Sequence, residues 1–272
     1  EDLGKKALGG GVDSRRPVDA KAGFRAATVP GAAGLRLGRA DEAQGWLRQA
    51  LELAKKTGDP HDIASALDNL GIVARGRGDL DEALRLYRQA LLKHRELGDA
   101  GNMAVCLNNQ GVVHILRREL DAAQEVLREA RQLCERHGLP STRVMVEVNL
   151  ASVAMHSGAP ELAVRHARQA LELSAQTGQR ANAVEARHAL AWAALRQGDL
   201  ATARSELVAA TTAAIAIGRP ALLVHGVRLF AELLAAQGVT DVAARVMGVV
   251  LQQPDLVGAE REEARRDILE GI

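Results

Sequence analysis

Three asparagines spaced 40 residues apart form the most regular set of polar side chains in this sequence. They are Asn69, Asn109 and Asn149. An asparagine amide carries both hydrogen-bond donors and an acceptor, so a row of them can pair with a polypeptide backbone of any sequence. The same amides could instead bond between neighbouring helices and fix their register. The spacing is compatible with both roles, and we favour the first.

Residue patterns typical of a catalytic or metal site do not occur in the sequence. It has no Gly-rich phosphate loop, no His-Glu-x-x-His, no paired-cysteine box and no Gly-x-Ser-x-Gly turn. The two cysteines, Cys106 and Cys134, fall at apolar positions of helical stripes. We interpret them as small core residues rather than as a disulfide or a reactive pair. We therefore expect no enzymatic activity, no cofactor and no metal.

The composition narrows the class of protein further. Hydrophobic residues make up 47% of the chain but aromatic residues only 2%, which favours closely packed helices rich in Ala, Leu and Val. The net charge of +1 provides no basic field for nucleic acid. No apolar run reaches the roughly 20 residues that cross a bilayer, and the N-terminal residues lack a secretory h-region. We expect a soluble, cytoplasmic protein.

The elements that must position the asparagines repeat with the same period. The stretch from Gly78 to Asp99 has apolar residues every three or four positions, as an amphipathic helix does. The turn that opens it recurs at 40-residue intervals, without insertion, at Gly38, Gly78, Arg118, Gly158, Gly198 and Gly238. An alanine follows five positions after each of these, at Ala43, Ala83, Ala123, Ala163, Ala203 and Ala243. The pattern predicts a two-helix unit repeated five to six times.

These residues carry a family resemblance. Gly71 followed by Ala83, Tyr87 and Ala90, at offsets of 12, 16 and 19, resembles the tetratricopeptide repeat (TPR). The 40-residue unit is similar to the long-helix variant of kinesin light chains and bacterial signalling proteins. The resemblance implies an all-α, right-handed α-solenoid of helix-turn-helix repeats. Ala167 replaces the motif aromatic in one unit, which predicts looser packing there.

The resemblance also implies where a partner binds. In this family the first helix of each unit lines a concave groove that holds extended peptides, so we expect another protein or peptide as partner, without direct binding to nucleic acid or membrane. Trp192 at a groove position could anchor a partner or could pack in the core. The residues that correspond to groove positions are Asn69, Asn108, Asn109, Asn149, Arg75, His188, Trp192, Arg196, Arg228 and Glu232.

The two ends of the chain differ from its middle. Residues 1–22 are Gly-rich and out of register, so we expect a linker or disordered segment before a solenoid that covers residues 23–272. Pro30 falls inside the first helix of the first unit and predicts a break there. Residues 258–272 are polar, as a capping helix requires.

The Ala-, Arg- and Leu-rich repeats resemble the C-terminal arrays of LuxR-like and antibiotic-regulatory transcription factors and of signal-transducing NTPases. That resemblance implies a sensor or partner-binding region of a bacterial regulator. Two other hypotheses stay open. One is small-molecule sensing near Trp192 and His188, and the other is an architectural array that assembles with itself.

Overall fold

A computed structural model of the chain describes residues 17–36, 40–219, 221–243 and 245. Those residues contain eleven α-helices of 16 to 20 residues and no strand, which confirms the all-α prediction. The helices are α1 (Pro17–Arg36), α2 (Ala40–Thr57), α3 (Pro60–Gly76), α4 (Leu80–Glu96), α5 (Ala100–Leu116), α6 (Leu120–His137), α7 (Pro140–His156), α8 (Pro160–Thr177), α9 (Arg180–Arg196), α10 (Leu200–Ala216) and α11 (Ala221–Ala236).

The turns confirm the repeat register. A glycine with positive φ closes helix after helix at 20-residue intervals, at Gly58, Gly78, Gly98, Gly138, Gly158, Gly178, Gly198, Gly218 and Gly238. Glycine suits these sites because the left-handed conformation carries no side-chain penalty there. Among the described residues, Arg118 is the one non-glycine with positive φ, and it stands where the repeat lacks its glycine. Two turns therefore make one 40-residue unit.

The chain divides into two compact units, residues 1–113 and 114–272. In the first unit α1 packs on α2, α2 on α3 and α3 on α4. In the second unit each helix from α6 to α11 packs on the next. Helix α9 also contacts α7 on one side and α11 on the other, so successive first helices lie side by side. This is the packing expected of a TPR-like array.

In each two-helix repeat of the first unit, a glycine on the first helix faces a large side chain on the second helix. A Cβ added to Gly71 would lie 2.6 Å from Cε1 of the fully buried Tyr87. One unit earlier, a Cβ on Gly31 would lie 2.8 Å from the side chain of Leu47. These distances are shorter than a carbon–carbon contact. The absence of a side chain therefore allows the two helices of a pair to approach.

At the equivalent positions of the second unit, the pairs of facing residues have other sizes than glycine and tyrosine. Ala191 and Leu207 share one buried cluster, and Ala151 and Ala167 share another. Ala167, around which the sequence predicts looser packing, is fully buried in a cluster with several other alanines. A small filler against a small partner lets the helices close on each other.

The break predicted at Pro30 is wrong, because α1 runs without interruption from Pro17 to Arg36. Proline costs this helix one backbone hydrogen bond. Phe24 and Ala27, however, are buried against α2, and tertiary packing of this kind provides most of the stability of a helix.

Helix α1 also begins six residues before the expected boundary at residue 23. Residues 1–16 and the expected cap at 258–272 lie outside the described residues.

Replacing Gly71 with alanine is expected to lower the free energy of unfolding by about 1–3 kcal/mol, because the new methyl group collides with the Tyr87 ring. Adding Tyr87→Leu reproduces the alanine–leucine pair of residues 191 and 207 and should restore most of that loss. Denaturant unfolding of the single and double variants measures both effects.

The matched control is Gly45→Ala in α2, where an added Cβ meets nothing within 4 Å. This change should leave stability unchanged or raise it by about 0.5–1 kcal/mol. A Gly71→Ala protein as stable as the wild type would contradict the packing account. So would a double variant that is no more stable than Gly71→Ala alone.

Candidate functional site

The asparagines of the first unit lie on α3 and α5. Asn69 and Asn109 are both partly exposed at equivalent positions of the two helices. The Asn69 amide donates to the backbone oxygen of Ser65, one turn earlier in its own helix, at 2.9 Å. Asn69 thus bonds within α3 and not across to a neighbouring helix. This argues against a role for Asn69 in fixing the helix register.

Two further candidates of the first unit lie in different surroundings. Asn108 is buried, so its side chain is not presented on the surface of α5. Arg75 is partly exposed in the last turn of α3. Burial raises the pKa of the nearby Tyr87 hydroxyl to about 12, and the positive charge of Arg75 opposes that rise. Of these candidates in the first unit, Asn69, Asn109 and Arg75 are therefore at least partly exposed, whereas Asn108 is buried.

In the second unit the structure brings three of the predicted residues together. Glu232 of α11 accepts from Arg196 of α9 at 3.1 Å and from Arg228 at 2.9 Å. Arg228 also lies 3.0 Å from Nε2 of His225. Arg196 is half-exposed, and its guanidinium lies 5.5 Å from the Trp192 ring centroid. This charged cluster links two successive first helices. Asn149, on α7 of the same unit, is partly exposed.

The burial of Trp192 and His188 shows that they pack in the core. Trp192 is only 5% exposed and belongs to a cluster with Leu207, Leu229 and Leu233. An anchor for a partner has to be accessible, so the structure favours the packing role that the sequence left open for Trp192. His188 is 1% exposed, and a Cβ on Gly226 would lie 2.9 Å from its Nε2.

The ionisable groups around His188 form a close group of their own. The rings of His188 and His225 lie 5.1 Å apart between centroids, and His225 Nδ1 lies 3.9 Å from Glu185. Burial, reinforced by the charge of His225, lowers the pKa of His188 to about 3. His188 is therefore neutral at physiological pH, and its Nδ1 has no hydrogen-bond partner.

A cavity of about 340 Å³ that the sequence did not predict lies on the second helices of the second unit. It lies between α6 and α8, with Leu150 of α7 in its wall. The residues that line it are Gln124, Arg128, Arg131, Leu150, Leu162, Arg165, His166 and Gln169. The buried Nε of Arg131 has no hydrogen-bond partner. The repeat did contain a signal, since Arg131 stands where other units have Leu51, Leu91 and Leu171.

The His166 side chain at this cavity contacts a buried carboxylate. Glu147 of α7 is fully buried, accepts from Arg143 at 3.4 Å and lies 2.7 Å from Nδ1 of His166. A buried charge is costly unless it is paired, and these two partners supply the pairing. The imidazole orientation at the cavity is thereby fixed.

Within the described residues, no helix is long and apolar enough to span a membrane. A family model described as the MalT-like TPR region matches residues 18–272. No curated protein sequence matches the chain.

Several solved structures share the fold. A Rap protein complexed with Competence and Sporulation Factor has a TM-score of 0.75 at 14% identity, over 91% of this chain and 71% of that chain. BtubC (BKLC) from P. vanneervenii has a TM-score of 0.65 at 20% identity, covering 79% and 88% respectively. A putative kinesin light chain from Podosopora anserina, with nearly identical TPR-like repeats, has a TM-score of 0.57 at 18% identity, covering 72% and 96%. At these identities the likeness concerns the fold alone.

The depressed pKa of His188 makes stability depend on pH. The unfolded chain takes up a proton on this histidine below about pH 6.5, whereas the folded chain resists it down to about pH 3. Above pH 6.5 His188 is neutral in both states and does not lower the free energy of unfolding. As the pH falls from 6.5 to about 3, protonation of the unfolded chain lowers that free energy. At pH 5 the loss should be on the order of 1–2 kcal/mol.

The variant His188→Asn, which borrows the residue of the equivalent position 108, removes this titration. Its unfolding free energy should fall less between pH 7 and 5 than that of the wild type. His61→Asn, at an exposed site, is the control and should keep the wild-type slope. Identical slopes for wild type and His188→Asn would refute the assignment of a neutral, buried His188.

Proposed function

Because the chain belongs to the MalT-like TPR family, we propose that it is a non-catalytic scaffold that binds another polypeptide along the first helices of its repeats. TPR domains typically bind proteins or peptides and carry no catalytic machinery. The finer proposal is that this chain is the cytoplasmic sensor or partner-binding region of a bacterial signalling or transcriptional regulator.

The observation that carries the proposal is the state of the asparagines. Asn69, Asn109 and Asn149 are partly exposed on first helices, and the Asn69 amide is bonded within its own helix. The Asn69 amide donates one hydrogen bond inside its own helix, so its second donor and its oxygen can pair with a polypeptide backbone. Backbone pairing confers affinity for an extended chain without demanding a particular sequence.

The charged cluster of the second unit supplies the sequence preference. Arg196 is half-exposed and shares Glu232 with Arg228. An acidic side chain of the partner could replace Glu232 as the acceptor of Arg196 in a bidentate pair. We therefore propose a partner segment that carries at least one carboxylate. The Rap structure, which was solved in complex with Competence and Sporulation Factor, supports the view that this fold can hold a bound partner.

The test is selection of a random peptide library against the chain, followed by affinity measurement on the enriched peptides. Removing the amides in Asn69→Ala, Asn109→Ala and Asn149→Ala variants should weaken binding by about 10-fold for each asparagine that pairs with the peptide. The melting temperature should change little, since the amides are not expected to hold the helices together.

Gln89→Ala is the matched control, because it removes an exposed amide from a second helix, α4. It should leave affinity unchanged. If the asparagine variants bind like the wild type but melt several degrees lower, the amides act in helix stacking and the proposed binding surface is wrong.

A second candidate function is small-molecule sensing, and the arginine-lined cavity of the second unit favours it. Three arginines and two glutamines converge on about 340 Å³, within the range of small-ligand sites. Guanidinium groups pair well with carboxylate or phosphate groups. The ligand would therefore be a small anion. Trp192 and His188 are themselves buried, so their side chains are not open to a ligand.

This candidate predicts that a small phosphorylated or dicarboxylate metabolite raises the melting temperature, by the equivalent of about 2.7 kcal/mol at 100 times its dissociation constant. Arg131→Leu, which restores the leucine of the other units, should abolish the shift, and neutral analogues should produce none. Arg168→Ala, at an exposed site on α8 outside the cavity lining, is the control. A shift that survives Arg131→Leu would count against the cavity as the site.

A further inference from the structure

Three side chains from three different helices meet in the core of the first unit. Asp68 of α3 lies with one carboxylate oxygen 2.8 Å from Nε2 of His94 of α4. Its other oxygen accepts from the Cys106 thiol of α5 at 2.9 Å. One nitrogen, one oxygen and one sulfur atom thus lie within 4.8 Å of one another. We call these residues the Asp68 cluster.

In the Asp68 cluster, both His94 and Cys106 differ from the residues that other repeats have at the same positions. The positions equivalent to Cys106 carry Ala66, Val146, Ala186 and Gly226, and those equivalent to His94 carry Ala54, Cys134, Ser174 and Ala214. In those units small or apolar residues fill the same space. Here His94 and Cys106 are 3% and 0% exposed, respectively. A polar trio at such sites carries a desolvation cost that packing alone does not require.

The chemistry of the trio matches that of a transition-metal site. Thiolate, imidazole and carboxylate are the three ligand types that Zn²⁺ binds in proteins. A tetrahedral Zn²⁺ would hold the oxygen, nitrogen and sulfur about 3.3–3.6 Å apart. The two observed contacts need to widen by about 0.5 Å for the ion to enter between them. We propose that Asp68, His94 and Cys106 bind one Zn²⁺-like ion in the first unit.

A second observation points the same way. His94 Nε2 faces Asp68, and the buried Nδ1 has no hydrogen-bond partner. That Nδ1 lies 3.8 Å from a carboxylate oxygen of Asp99. When a metal occupies Nε2, the ring proton resides on Nδ1 and faces this carboxylate. A carboxylate behind a metal-bound histidine is the usual arrangement around zinc.

Binding of the ion displaces the proton of the Cys106 thiol, which donates to Asp68. Burial, followed by the charge of Asp68, raises the pKa of the Cys106 thiol, so the sulfur carries its proton before the metal arrives. Formation of the metal–sulfur bond breaks the S–H bond and releases that proton to solvent.

The fourth ligand position belongs to solvent or to a ligand. Asp68 is the most accessible member, with 19% of its side chain exposed, so it marks the side from which an ion or water enters. Three protein ligands and one open position are typical of zinc sites that can take up an exogenous group. The Asp68 cluster therefore differs from a closed structural site.

The test uses Co²⁺ as a spectroscopic substitute for Zn²⁺, titrated into the reduced full chain. The eight histidines of the chain can bind metals at other places, so the readout has to report the sulfur. We expect one Co²⁺ per chain with a thiolate-to-cobalt charge-transfer band in the near ultraviolet. Excess Zn²⁺ should displace the Co²⁺ and remove the band.

Most of the test variants introduce a residue that another repeat already has at the same position, so we expect them to fold. Cys106→Ala should abolish the charge-transfer band, whereas Cys134→Ala should leave it intact. His94→Ala and Asp68→Asn should weaken Co²⁺ binding by more than the ~10–100-fold that mutating an outer partner costs. Asp99→Asn, which alters the residue that positions His94, should weaken binding within that range and keep the band. Circular dichroism should show the same helicity in all five.

The proposal is overturned if the wild-type chain gives no charge-transfer band, or if the band persists in Cys106→Ala. It is also overturned if Asp68→Asn and His94→Ala bind Co²⁺ as tightly as the wild type. In those cases the Asp68 cluster is a hydrogen-bond network alone. Peptide binding does not enter this test, so its outcome is independent of the proposed function.

Discussion

The structure depends on how closely the two helices of each repeat can approach. At residues 71 and 87 a glycine makes room for a tyrosine ring, with the missing Cβ only 2.6 Å from the ring. Residues 191 and 207 meet the same constraint with alanine and leucine. Once the pair is closed, a turn of fixed length with a left-handed glycine returns the chain for the next helix. These turns recur about every 20 residues, so two helices and two turns make up each 40-residue unit.

The same constraint decides which side chains are available for function. The alanines and the larger apolar residues of the second helices pack in the core. The first helices carry Asn69, Asn109 and Asn149 in partly exposed positions. Polar residues that point into the core need specific partners, because an unpaired buried charge is costly. Glu147 has Arg143 and His166, and Asp68 has His94 and Cys106. These paired polar groups are places where one repeat differs chemically from another.

The sequence predicted the periodic features well because period and turn chemistry are local properties. Helix number, turn positions and the burial of Cys106 and Cys134 follow from the 40-residue register. Contacts among residues distant in sequence were not predictable in this way. The break expected at Pro30 failed because propensity does not include the packing of Phe24 and Ala27. The Asp68 cluster was missed because its members are 26 and 38 residues apart, outside any short metal-ligand spacing.

The central claim is that amides on the first helices contact the bound polypeptide. The most direct measurement is an NMR titration that follows the side-chain amide resonances of the isotopically labelled chain as a selected peptide is added. The account predicts perturbation of the Asn69, Asn109 and Asn149 side-chain signals, with those of Gln49 and Gln89 on second helices unchanged. Perturbation confined to the second-helix amides would contradict it.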